Sequence, residues 1–405
     1  MLHPIWMSIE KLVRKELQGQ VQVSATRRRV ADAPGTISLA AGDPNFLLPE
    51  YIAKTVYDAI REGKTHYCFG GEPALRNALV EYYSKYGYKA QPGQIAITGG
   101  GSQSLFQAYA AILNAGDEGI SFDPAYGGGR GPHRFFGVKT VYSAMKKTDG
   151  QFRPDMEDLK SVITPKTKSL YIDNPGNPSG AVFTKKELKG IADLAVDHDF
   201  VVVSDETYSE FCWDGTKHEA LITYPGMENR TIVCMAFTKF YSWAGMRTGW
   251  IVSGPEMAPY VGRAPGSAVS WPIQLGAVKA ITEGYEYVKA IRKEYEERIN
   301  YGVKRLNEMP GVSCRKPEGA FYLFPDITGT TLSSNEFVQK LAEEEAVRIV
   351  SGAGYGPGAA EGHVRLSMIR PLSTQKMPGW FKNEPDTCFE AAMDRMERFV
   401  KKYQK

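Results

Sequence analysis

Between about residue 94 and residue 254 the chain alternates short apolar runs with longer segments of helical period, and no other feature narrows the fold as far. The runs are 94–98, 119–123, 139–144, 169–173, 200–205, 231–237 and 248–253, most of them rich in Val, Ile, Tyr and Phe. A strand that reads apolar throughout has both faces covered, as in a sheet flanked by helices. Between the runs, 102–114 places Leu105, Phe106, Tyr109, Ile112 and Leu113 at helical spacing. Thr184 followed by Glu187 is a capping-box pattern that opens a helix running to 197. Strands alternating with helices predict an α/β fold, with helices flanking a mostly parallel seven-stranded sheet.

The last third reads differently. A charged helical stretch over 274–308 is expected to break at Gly284 and Gly302. It is followed by strand-like 319–324, a second capping box at Ser333 and Glu336, an apolar run at 347–350 and strand-like 363–368. An amphipathic helix is expected from 386. With 405 residues the chain is long enough for two domains. The expected division is a large domain over 45–285, a smaller α+β domain over 286–405, and an N-terminal segment, 1–44, that joins the smaller one. The glycine-rich 127–131 reads as a loop.

Charge and cysteine content remove several function classes. Lys plus Arg is 49 and Asp plus Glu 46, so no basic surplus is available for nucleic acid. The five cysteines stand far apart with no CxxC, and no HExxH occurs, so neither a disulfide framework nor a metal site is expected. That usage suits a reducing, cytoplasmic compartment. Charges interrupt residues 1–17, which therefore do not read as a signal peptide. No apolar run reaches the roughly 18 residues of a membrane span, so no membrane partner is expected.

Four short segments carry chemistry. Lys239 follows an apolar run and Arg247 lies between Gly245 and Gly249. A lysine at a buried strand end loses charge by desolvation and becomes a nucleophile, whereas arginine keeps its charge and grips phosphate. A surface turn would explain the same pair. Asp205-Glu206-Thr207-Tyr208 ends another run. Its Asp is suited to holding a proton on a heterocyclic nitrogen, or equally to capping a helix. Asp173-Asn174-Pro175-Gly176-Asn177-Pro178 is a tight turn in which Asn177 either presents its amide to a ligand or plays no part. Thr98-Gly99-Gly100-Gly101-Ser102 leads from strand to helix, an arrangement that holds anions on exposed N–H groups. It is not a P-loop. A dinucleotide site with Asp117 or Asp123 on a ribose is the distant alternative, although Ser104 stands where the third glycine belongs.

Taken together, these segments resemble the fold type I pyridoxal-phosphate enzymes, in particular the class I/II aminotransferases, over Ser38 to Pro371 and in the family's order. The resemblance implies that Lys239 carries pyridoxal 5'-phosphate as a Schiff base and that Arg247 binds its phosphate. Gly100, Gly101 and Ser102 would form the phosphate cup, with Thr238 standing in partly for a serine the family often has at the place of Ala236. Asp205 would pair with the pyridine nitrogen, Tyr208 and Asn177 would bond the phenolic oxygen, and Tyr126 would stack on the ring. Gly42, in Gly42-Asp43-Pro44-Asn45-Phe46, would face the substrate, and Arg365, in Val364-Arg365-Leu366-Ser367, would clamp its α-carboxylate. Arg370 is a competitor outside the motif. Tyr67 resembles the tyrosine that reaches the phosphate of a partner subunit, which implies a homodimer with active sites at the interface. Arg130, His133 and Arg134 either meet an acidic substrate side chain or are loop cations facing water, and the second is expected.

The implied reaction is transfer of an amino group between an L-amino acid and a 2-oxo acid, with Lys239 as the general acid/base. Elimination, decarboxylation or cyclisation on the same fold remain as alternatives, because all can begin at the substrate's Cα.

Overall fold

The computed structural model describes Arg14 and residues 35–266, 268–379 and 386–405. Apart from Arg14, the first 34 residues of the expected N-terminal segment lie outside the described residues. The strands are β1 (Ile37–Ser38), β2 (Ile95–Thr98), β3 (Glu118–Asp123), β4 (Lys139–Thr148), β5 (Gln151–Pro154), β6 (Thr167–Asp173), β7 (Val201–Asp205), β8 (Thr231–Ala236), β9 (Gly249–Ser253), β10 (Tyr322–Leu323), β11 (Val347–Arg348), β12 (Val350–Ser351) and β13 (Val364–Ser367).

The main sheet has the order β2-β9-β8-β7-β6-β3-β4-β5. Pairing is parallel from β8 through β7, β6 and β3 to β4, and antiparallel where β9 and β5 join. Among the described residues it thus has eight strands, one more than expected. Each of the seven apolar runs became a strand, and the eighth, β5, is a hairpin return from β4 at the edge. Its Gln-Phe-Arg-Pro sequence has neither a long apolar run nor clean alternation, and the pairing with β4 supplies what the pattern lacks.

Alternation along the strands feeds two cores. On β8, Ile232 and Cys234 join one cluster, with helices Gly101–Ile112 and Lys185–Asp197, while Val233 and Met235 join the other. Trp250 and Val252 of β9 point with the second group and Ile251 with the first. Both expected capping boxes form: Glu187 N–H donates to Thr184 at 3.3 Å, and Glu336 N–H donates to Ser333 at 3.3 Å.

The charged stretch breaks at Gly284 as expected, into helices Trp271–Glu283 and Tyr285–Glu308. It does not break at Gly302. That glycine is buried, and a Cβ there would stand 2.5 Å from Leu323, so close packing rather than a turn accounts for it. The glycine-rich 127–131 is not a loop either: Gly127–Phe136 is a helix. Glycine is a poor helix former. At Gly129, however, a Cβ would lie 2.1 Å from the Tyr171 ring, so a helix passing this close to β6 needs the missing side chain.

Beyond the main sheet, β10-β13-β12 form an antiparallel sheet, and β1 pairs with β11 in parallel. Among the described residues no helix is long and apolar enough to cross a membrane.

Candidate active site

Parallel strands that end at a common edge leave a crevice where the following loops diverge. Here β6 ends at Asp173 and β7 at Asp205, and these two are register partners. Ala236, the end of β8, and Thr98, the end of β2, both pair with Gly249. A cavity of about 260 Å³ lies at this edge.

The loop after β8 brings Thr238 and Lys239 into the cavity, and the segment after β7 brings Tyr208 next to Asp205. Asn177, from the turn after β6, and Tyr126, after β3, also line it. At one end stand Gly101, Ser102 and Arg247. Gly42 and Arg365, distant in sequence, complete it. Gly100 lies behind Arg247: its φ is +97°, and a Cβ there would stand 2.6 Å from a guanidinium nitrogen. A side chain would therefore displace the arginine. Arg247 donates to the carbonyls of Ala244 at 2.8 Å and Gly99 at 3.0 Å, which fixes its fork beside the first turn of the helix. Tyr67 is not brought to the cavity. It is 74% exposed and stacks on the equally open Phe69 at 5.3 Å.

The electrostatics are set by burial. Lys239 donates to the Gly42 carbonyl. Desolvation lowers its pKa to about 8 against the pull of Asp43, so the neutral amine is available near neutral pH. Asp205 accepts from the Thr207 N–H at 3.1 Å and from the Thr207 hydroxyl, with the Tyr171 hydroxyl at 3.4 Å on its other oxygen. Burial still raises its pKa, because these donors do not amount to a countercharge. Arg365 donates to Asn177 Oδ1 at 3.0 Å and to the Ala40 carbonyl, and its guanidinium lies 4.4 Å over the Tyr322 ring.

Two contributors carried no expectation. Asp173 Oδ2 accepts from the backbone N–H of both Tyr126 (3.1 Å) and Asn177 (3.0 Å), so one carboxylate seats two residues of the cavity. Burial, with help from the charge on Asp205, raises its pKa to about 8. Acids ending two neighbouring strands were a usable signal. Tyr322 also lines the cavity, with its hydroxyl 2.6 Å from that of Tyr208. Nothing in its own segment marks it, because that segment reads as an apolar strand.

Other expectations change. Arg130 is not a loop cation: it sits on a helix and donates to the carbonyls of Ala125 (3.1 Å), Tyr355 (3.3 Å) and Gly354 (2.8 Å). His133 is fully buried against Tyr109, with its pKa lowered to about 4 by burial, so it is a neutral core residue. Arg134 alone of the three is exposed. Asp123 and Asp117, the acids of the dinucleotide alternative, are engaged elsewhere. Asp123 accepts from the N–H groups of Gly358 and Ala359, both at 2.9 Å, and Asp117 from that of Asn114 at 2.8 Å. Arg370 does not line the cavity.

Comparison with known proteins gives a consistent picture. Residues 34–377 match the family model described as aminotransferase class I and II. An aromatic-amino-acid aminotransferase 2 of Thermococcus litoralis is 36% identical over 375 residues, covering 91% of this chain and 92% of that protein. An aspartate aminotransferase of Pyrococcus horikoshii is 35% identical over 347 residues, 84% of this chain and 88% of that one. The crystal structure of an aromatic aminotransferase from Pyrococcus horikoshii superposes with a TM-score of 0.82 at 34% identity, covering 93% of this chain and 99% of that one.

Proposed function

The chain belongs to the aminotransferase class I and II family, and from that membership we propose that it works with pyridoxal 5'-phosphate held at Lys239. It is a transaminase, moving an amino group between an L-amino acid and a 2-oxo acid. The dinucleotide alternative has no place in this family.

The donor set suits that cofactor. A phosphate dianion matches the Arg247 fork and the helix N-terminus beside Gly100, Gly101 and Ser102, with Thr238 adjacent. A cationic ring nitrogen would add a direct countercharge to buried Asp205, whose pKa stays raised despite the pull of Lys239. Tyr126 offers a flat face to stack on a ring, and Tyr208 and Asn177 offer hydrogen bonds to a phenolic oxygen. When bound, the cofactor supplies an aldehyde for the amine and a ring that absorbs the electrons released at the substrate's Cα.

The chain's residues do the rest. Lys239, neutral once displaced, takes the proton from Cα and hands it on as a general acid/base. Asp205 holds a proton on the ring nitrogen. Arg365 grips the α-carboxylate with a fork already fixed by Asn177 and Ala40, so the substrate's orientation is set before any proton moves. The observation that carries this reading is that a partly buried amine, a buried carboxylate and a buried guanidinium converge on one cavity.

The division of labour proposed is that 45–285 holds the cofactor while 286–405, with the N-terminal segment, contributes the substrate clamp. A homodimer is part of the proposal, supported by the exposure of Tyr67 and Phe69, 74% and 84%, which leaves aromatic surface that a partner chain would cover. A cytoplasmic location fits the five free cysteines.

The test is a panel of amino acids incubated with the purified protein, cofactor and a 2-oxo acid. Amino transfer that depends on the oxo acid is expected. Oxo-acid-independent release of ammonia or carbon dioxide would point to elimination or decarboxylation instead.

A further inference from the structure

Tyr322 stands where three parts of the cavity meet. In the antiparallel pairing of β10 with β13 it lies opposite Ser367, which puts it on the same face as Arg365, two residues along. That register places the guanidinium of Arg365 over its ring. The hydroxyl end reaches the other wall, 2.6 Å from the hydroxyl of Tyr208. Gly42 is the third neighbour: a Cβ there would fall 2.2 Å from the Tyr322 hydroxyl and 3.5 Å from Lys239 Nζ. The tyrosine is 1% exposed.

A phenolic hydroxyl owns one proton and accepts through its lone pairs. Two hydroxyls at hydrogen-bond distance share one proton between them, and the other must point elsewhere. If Tyr208 spends its proton on the cofactor's phenolic oxygen, the proton in the pair must come from Tyr322. We propose that Tyr322 is a positioning residue of the transamination reaction, donating to Tyr208 so that the Tyr208 proton is aimed at the phenolic oxygen. The inference rests on the reading of Tyr208 as a ligand of that oxygen. Donation from Tyr322 polarises the Tyr208 O–H and makes it a stronger donor, as happens along hydrogen-bonded chains. A stronger donor lowers the basicity of the phenolic oxygen and so weakens its hold on the proton of the Lys239–cofactor linkage. Tyr322 therefore keeps that linkage's pKa low. Its ring meanwhile supports Arg365, which couples the proton balance at the cofactor to the residue that grips the substrate.

The experiment uses the holoenzyme of the wild type, Tyr322→Phe, Tyr208→Phe and the double variant. The pH dependence of the linkage's absorbance is titrated, and kcat and KM are measured separately. Tyr322→Phe keeps the ring under Arg365 and removes only the hydroxyl. It is expected to raise the linkage pKa by about one unit and lower kcat about tenfold with KM nearly unchanged. In the Tyr208→Phe background it should add no further shift. Gly42→Ala, which pushes the Tyr322 hydroxyl aside without altering either tyrosine, should move the pKa in the same direction. An unshifted pKa in both Tyr322→Phe and Gly42→Ala, or a Tyr322→Phe shift that persists in full without the Tyr208 hydroxyl, overturns the proposal. A wild-type protein with no reducible adduct at Lys239 would instead overturn the functional reading on which it stands.

Discussion

On the main-sheet side of the cavity, Tyr208 follows the end of β7 by three residues and Lys239 follows the end of β8 by three. On the other side, Arg365 is held by Asn177, 188 residues away, and by Ala40, 325 residues away, while Tyr322 reaches Tyr208 across 114 residues. The first wall takes its geometry from the sheet: once buried strands align, their ends converge. The second depends on contacts that exist only when distant parts of the chain are docked. The difference predicts that the first wall governs the chemical step, and that on the second wall Arg365 governs recognition while Tyr322 acts on the chemical step through Tyr208.

Substitutions of Lys239 and of Arg365 should therefore separate in their kinetics. The largest effect is expected for Lys239→Ala on the first wall. Its kcat should fall by about 10³- to 10⁴-fold, the scale of a lost general acid/base, with the far-UV circular dichroism unchanged. On the second wall Arg365→Ala should raise KM about tenfold to a hundredfold, the scale of a lost bidentate charge-assisted contact, while kcat falls less. If Arg365→Ala lowered kcat as far as Lys239→Ala does and left KM alone, the division would be broken.

A pH measurement sharpens the first wall. In the cofactor-free protein burial disfavours the Lys239 ammonium, so its pKa lies at about 8 rather than 10.5. Its reaction with an amine-directed acylating reagent should rise through about pH 8, and a rise delayed to the ordinary lysine range would contradict the burial argument. The smallest effect tests a position away from both walls. Thr184→Ala removes a capping box from helix Lys185–Asp197 and should cost about 1 kcal/mol in thermal or denaturant unfolding with kcat unchanged.

The same contrast explains what the sequence made legible. The strands were readable because burial on both faces leaves an apolar run, and the main-sheet wall was readable because each group stands a few residues beyond such a run. Arg365 was reached by its motif, not by any local pattern. Tyr322 and Asp173 were missed, since one sits in an unremarkable apolar strand and the other works by accepting two backbone N–H groups from different loops. The glycine-rich 127–131, part of helix Gly127–Phe136, was read as a loop for a comparable reason. Gly128 and Gly129 answer to Tyr126 and Tyr171, which occupy the space their side chains would need. His133 looked like a surface cation only because its burial against Tyr109 is a tertiary fact.

The central claim is that the amine of Lys239 is the point at which the cofactor is held. Borohydride reduction of the purified holoenzyme followed by peptide mapping tests it directly. A single reduced adduct is expected, on the peptide containing Lys239. An adduct on another lysine, or none in a protein that still transfers amino groups, would contradict it.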